Sequence, residues 1–164
     1  MLKQISTLDG YEIAIASPDA FAGETTDARG DVGGANVTYT LFKVNGEVLV
    51  RIFGVCTTDL AGAATLEVGV SGNTAKLIAQ TTATSIDAND IWNDATPTAV
   101  GLDTLAAVTG PYLIVNGADI IETTASANIT SGQIYYVCLW RPITPGSNVI
   151  ALPIQEGADI RFDS

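Results

Sequence analysis

Four short glycine-bearing breaks cut the middle of this 164-residue chain into segments too brief for stable helices. Asn45-Gly46 separates NVTYTLFKV (36–44) from EVLVRIFGVCT (47–57), and Ser71-Gly72-Asn73 separates TLEVGV (65–70) from TAKLIAQ (74–80). Asn116-Gly117 divides YLIV (112–115) from ADIIETT (118–124), and Ser131-Gly132 divides ANIT (127–130) from QIYYVCLW (133–140). Glycine and asparagine tolerate the positive φ that tight hairpin turns demand. Strands joined by short turns follow from this punctuation.

Periodicity supports the same conclusion. In TLEVGV, Leu66, Val68 and Val70 share one face while Thr65 and Glu67 take the other, the two-residue period of a half-buried strand. Threonine and alanine are abundant while Lys and Glu are few, which favours strands over exposed helices. Short runs at VIALPI (149–154) and ADIRF (158–162) add one or two strands. The expected fold is all-β: an antiparallel β-sandwich, jelly-roll-like, of about 8–10 strands with at most one or two short helices.

Two stretches depart from this pattern. Residues 17–35 are rich in glycine and acids and carry no apolar period, and YEIAIA (11–16) reads as an edge strand or extended arm. We therefore expect an N-terminal arm or mobile segment at 1–35 and a β-sandwich domain at 36–164. The second break spans 81–109, where Asp87 opens DANDIWNDA as a candidate N-cap for one helical turn. LDTLAAV (102–108) reads as a further short helix or a loop.

Two strands are apolar on both faces. Val48, Val50, Ile52 and Cys56 oppose Leu49, Arg51, Phe53 and Val55; Ile134, Tyr136, Cys138 and Trp140 oppose Tyr135, Val137 and Leu139. A sheet face turned to water should be polar, so such strands predict cover on both sides. A neighbouring subunit is one such cover, which points to a homo-oligomer.

The chain has no histidine, 18 acidic residues and 7 basic ones, for a net charge of −11. Without histidine, Ser-His-Asp and Cys-His nucleophiles and imidazole metal ligands are excluded. The basic residues are scattered singly, which disfavours nucleic acid and anionic membranes as partners. No apolar run is long enough for a signal peptide or a membrane span, so folding in a cytosol is expected. Cys56 and Cys138 sit in apolar runs and read as two buried free thiols rather than a disulfide.

Few residues are candidates for chemistry. Asp87, Asp90 and Asp94 have spacings that can present oxygens to calcium, but the cluster lacks the EF-hand order, and turn capping is the favoured role. Carboxylate pairs can cleave glycosides, yet no local pattern marks such a pair. Trp92 and Trp140 with Tyr135 and Tyr136 are candidates for a sugar-stacking platform, with core or interface packing favoured. The Arg29-Gly30-Asp31 tripeptide and the sequons at Asn36 and Asn128 are treated as chance matches. No catalytic, cofactor-binding or metal-binding residue is assigned, and no cofactor is expected.

The stretch from Leu49 to Trp92, with ANITSGQIYYVCLWRPI at 127–143, resembles small structural proteins of tailed bacteriophages. The likeness lies in hairpins rich in Thr, Ala and Gly, in scarce His and Lys, and in an arm before the first hairpin. It implies a non-enzymatic virion component, most like a capsid decoration (cement) protein. Such a protein is assembled in the host cytoplasm, binds the major capsid protein on the outer head surface and forms dimers or trimers. The alternative is a carbohydrate- or receptor-binding β-sandwich module of a phage tail or fibre.

Overall fold

The structure, a computed structural model, describes residues 10–153. Ten strands follow in order: β1 (Glu12–Ala16), β2 (Thr38–Asn45), β3 (Val48–Ala61), β4 (Thr65–Val70), β5 (Asn73–Thr82), β6 (Ile91–Trp92), β7 (Tyr112–Ile114), β8 (Ile120–Ala125), β9 (Ser131–Pro142) and β10 (Asn148–Ala151). The described helical pieces are three-residue turns, at Ala35–Val37, Ala83–Ser85, Ala99–Gly101 and Leu105–Ala107. The expected helical turn at Asp87 is absent; Asn89 takes a φ of 74°, which ends any helical path. The run 158–162 lies outside the described residues.

The strands form two antiparallel sheets. The first has the order β1-β9-β3-β6, with β7 also on β3; the second has the order β10-β2-β8-β4-β5. Apart from β10, this is the strand order of two interlocked Greek keys, an eight-stranded jelly roll whose sixth strand is split into β6 and β7. The all-β sandwich expected from turn spacing is the observed architecture.

The turn signals had a different structural meaning from simple hairpins. Only Ser71-Gly72 joins strands paired in one sheet, β4 and β5. Asn45-Gly46 leads from β2 in the second sheet to β3 in the first, and Asn116-Gly117 leads from β7 back across to β8. A turn fixes the reversal of the chain but not which strand pairs with which. Strand β3 instead pairs along its length with β9, from Val48↔Pro142 to Ala61↔Ser131. Ser131-Gly132 is no turn at all but the start of β9, opposite a register shift in β3 between Thr58 and Ala61. There Gly132 has φ 114°, and an added Cβ would sit 2.5 Å from the Leu60 side chain. Glycine is the residue that fits this bulge.

The core lies between the sheets, with the alternation the sequence predicts. Val48, Val50, Ile52 and Cys56 face inward beside Ile134, Tyr136 and Cys138, and all are buried. Leu66, Val68, Ile78, Ile120 and Phe42 meet them from the second sheet. Each large side chain so buried contributes about 1.5–3 kcal/mol relative to exposure.

Residues 10–35, set apart from the sandwich on sequence grounds, pack onto it in the structure. Strand β1 pairs with β9 from Glu12↔Trp140 to Ala16↔Tyr136. Beyond it, Phe21 N–H donates to Gly132 O (2.9 Å), Gly23 N–H to Ile129 O (2.9 Å), and Phe21 is 3% exposed. The physical reason is one aromatic and one arginine, Phe21 and Arg29, that anchor an otherwise polar segment.

Candidate functional site

Two constellations stand out, one inside the sandwich and one outside. The inner one is a clasp. Arg29 reaches from the 17–35 segment to Glu122 on β8, with Nε to Oε1 at 2.9 Å and Nη2 to Oε2 at 2.6 Å. Its Nη1 donates to Asp19 O at 2.8 Å, and its guanidinium lies 3.8 Å over the centre of the Phe21 ring. The Tyr136 hydroxyl donates to Glu122 Oε2. Burial alone would lower the Arg29 pKa, but the facing carboxylate outweighs it and holds the pKa raised. Burial first, and the Glu122 charge second, push Tyr136 well above the ordinary tyrosine range. Both Glu122 oxygens are thus occupied by protein donors. The arrangement suits a fixed tie between the segment and the core.

The outer constellation is the solvent side of the first sheet. Strand register places Ile13 opposite Leu139 and Ile15 opposite Val137; Leu139 and Val137 in turn lie opposite Arg51 and Phe53. Tyr135 stands opposite Val55 in the next row. The 99–108 segment covers part of this face. Arg51 Nη1 donates to Val108 O (3.1 Å), which ties that segment to the sheet. Asp103 accepts from Thr98 Oγ1 (2.7 Å), Thr104 N–H (2.7 Å) and Asn93 Nδ2 (3.2 Å). These bonds, that of the Thr98 hydroxyl above all, hold its pKa below the usual carboxylate value. What the described residues leave uncovered is a groove of about 240 Å³ lined chiefly by Ile13, Phe53, Leu105, Val108, Val137 and Leu139. Ile13 and Ile15 on β1, 37% and 54% exposed, continue it to the sheet edge. Asp103 and Thr104 are the polar members of its lining, and both Asp103 oxygens already accept from protein donors, so the groove offers chiefly apolar contact.

The sequence candidates fall as follows. Asp90 accepts the Asp87 N–H (2.9 Å) and Asp94 accepts the Thr96 N–H (2.7 Å), so each carboxylate closes its own turn. Among the described residues, no group of three or more acids and cysteines is placed to hold a metal ion. Trp92 is fully buried, its Nε1–H donating to Thr81 Oγ1 at 2.8 Å, with its ring 6.2 Å from that of Tyr136. Trp140 is buried as well, while Tyr135 belongs to the outer face. No stacking platform forms. Cys56 and Cys138 are buried free thiols, and burial pushes Cys56 up to about 11 and Cys138 higher still. Arg29 of the Arg-Gly-Asp tripeptide is locked in the core rather than displayed. Asn128 ties loops together, accepting from Val32 N–H (3.0 Å) and donating to Gly23 O (2.6 Å), and Asn36 donates to Asp27 O.

Sequence reasoning missed the Arg29–Glu122 tie because 93 residues separate the partners. An arginine within an acidic, glycine-rich stretch was the only local signal.

Comparison of the chain with protein-family models, curated proteins and solved structures finds no match.

Proposed function

We propose that this protein is a non-enzymatic structural component of a tailed-bacteriophage virion, a capsid decoration protein that binds the major capsid protein on the outside of the head. One observation carries this reading: the outer face of the first sheet is apolar and only partly covered by the described residues. Such a face suits contact with another protein surface. The sequence resemblance to phage structural proteins supplies the kind of partner.

Charge supports the outer location. The loops at one end of the sandwich carry Asp19, Glu24, Asp27, Asp31 and Asp87, with exposed Asp59 near the end of β3 beside them, while Arg29 there is buried against Glu122. Packaged DNA repels such a surface. Binding to assembled shells and not to free subunits stabilises the shell by mass action, and many copies acting together hold a lattice firmly.

Co-sedimentation with purified phage shells tests this. Fixed-stoichiometry binding, with copies in the hundreds per particle, is the expected result. Six or twelve copies would move the protein to the neck or tail. Binding on a glycan array without shell binding would replace the reading with the carbohydrate-binding alternative.

A further inference from the structure

We infer that Asn45 is a self-modification site, an asparagine the fold leaves free to deamidate through the Gly46 nitrogen, while Asn116 beside it is protected. The site lies where β2 passes to β3, and it goes beyond the virion reading, on which it does not rest. The chain has two Asn-Gly pairs, 45–46 and 116–117, and the fold brings them together. An added Cβ at Gly117 would sit 3.0 Å from Val44 O and 3.9 Å from Asn45 Cα. The two pairs share a sequence and a corner but differ in hydrogen bonding.

Gly117 N–H donates to Gly46 O at 3.2 Å, so its nitrogen is already engaged. Gly46 is exposed, and its N–H meets no acceptor among the described residues. A backbone nitrogen must shed its proton to act as a nucleophile, and an N–H bonded to a carbonyl sheds it less readily. Asn45 is exposed as well, and its Nδ2 donates to Asn148 Oδ1 on β10 at 2.8 Å. Glycine at 46 is imposed by the fold. Its φ is 75°, and an added Cβ would sit 2.3 Å from Ser147 Oγ. That hydroxyl in turn accepts the Glu47 N–H at 3.0 Å. The turn therefore requires the one residue with no side chain to shield the attacking nitrogen.

The Gly46 nitrogen attacks Asn45 Cγ, and the new N–Cγ bond closes a five-membered imide. The Cγ–Nδ2 bond breaks, and the side-chain nitrogen leaves as ammonia with the proton from Gly46. Water then adds to either imide carbonyl and reopens the ring to an aspartyl or an isoaspartyl residue. Both products place a new carboxylate next to Glu47 and near Asp119, whose Oδ1 accepts the Val44 N–H at 3.0 Å. The isoaspartyl form also routes the backbone through Cβ, which adds one carbon to the turn that joins the two sheets.

Peptide mapping of the full folded chain, held at mildly alkaline pH, reads this out. Trypsin cuts after Lys43 and Arg51, so residues 44–51 carry Asn45 as their one asparagine. Fragment spectra of the peptide beginning at Leu77 report Asn116. Each rate is divided by the rate at the same site in guanidinium-unfolded chain, which removes the effect of local sequence. A one-dalton gain is expected at Asn45, with a normalised rate at least about fivefold above that of Asn116, the ratio one hydrogen bond of about 1 kcal/mol gives. Amide hydrogen exchange should be slower at Gly117 than at Gly46. Asn45→Gln should abolish the gain in residues 44–51, because a six-membered imide closes far more slowly. Equal normalised rates, a faster Asn116, a gain that survives Asn45→Gln, or faster exchange at Gly117 would each overturn the inference. So would an Asn45 that stays intact while the unfolded chain reacts.

Discussion

The two sheets share one core but present opposite outer faces. Thr38, Thr40, Thr65, Glu67 and Thr123 lie on the outside of the second sheet beside a single buried isoleucine, Ile121, and buried Glu67 accepts from Gln80 Nε2 at 3.0 Å. The first sheet shows Ile13, Ile15, Phe53, Val55, Tyr135 and Val137 on its outside. Strands of equal β propensity thus serve different ends. Threonine gives that sheet a less apolar outer face, although the Thr65 and Thr123 hydroxyls are themselves buried without a hydrogen-bond partner among the described residues, while isoleucine and valine on the first sheet await cover. The 99–108 segment supplies part of that cover, and the rest of the face is what we assign to contact with other subunits.

The largest effect is expected where the second sheet holds its buried charge. Glu122→Ala leaves the Arg29 guanidinium unpaired in the core and should cost about 3–5 kcal/mol in urea unfolding. Arg29→Ala should cost a similar amount and expose residues 17–35 to limited proteolysis. If these variants unfold no more easily than the native chain, the clasp is not what holds the segment.

Matched isosteric swaps then probe the two outer faces directly. Val137→Thr adds a hydroxyl to the half-buried apolar face and should cost about 1 kcal/mol, whereas Thr123→Val on the other sheet should stay within about 0.5 kcal/mol. Equal costs would erase the distinction drawn here. In shell binding, by contrast, Val137→Asp should reduce affinity while Thr123→Asp leaves it unchanged.

A smaller effect concerns alkaline pH. Cys56 and Cys138 belong to the inner side of the first sheet, and burial raises both thiols above the ordinary value of 9.0. A raised folded pKa means the unfolded chain loses its protons first. Their contribution is complete below pH 9 and is lost as pH rises from 9 toward about 11 and beyond, with Tyr136 acting in the same direction. Replacing Cys138 by alanine should flatten this decline in thermal unfolding measured from pH 8 to 11. An unchanged slope would place its origin elsewhere.

Much of the fold was legible in the chain, and for local reasons. Alternation in TLEVGV and in residues 133–140 sorts side chains to two faces, and a pleated strand obeys that period wherever it lies. The same alternation marked β3 and β9 as apolar on both sides, so the candidate surface was visible as a pattern before it had a location. Its shape was not. The groove exists because Arg51 pins the 99–108 segment over one part of the face, while Asp103 closes that segment on itself. The Arg51–Val108 bond joins residues 57 apart, whose proximity no local pattern encodes.

The N-terminal segment shows the limit most clearly. Composition alone made residues 17–35 an arm, since most of their side chains are small or acidic. A single buried ion pair to a strand 93 residues away, with one aromatic beneath it, gives them a place on the body instead. The turn signals teach the same lesson: Asn45-Gly46 foretells a reversal, but the sheet that β3 joins is decided by the length of apolar strand that β9 offers it. Sequence by itself determined strands, faces, turns and the absence of histidine chemistry, because these follow from periods of two to four residues and from composition. Tertiary structure alone decided the jelly-roll order, the clasp at Glu122 and the pairing of β1 with β9, because each depends on contacts between segments far apart in the chain, where many small burial and pairing energies are compared at once.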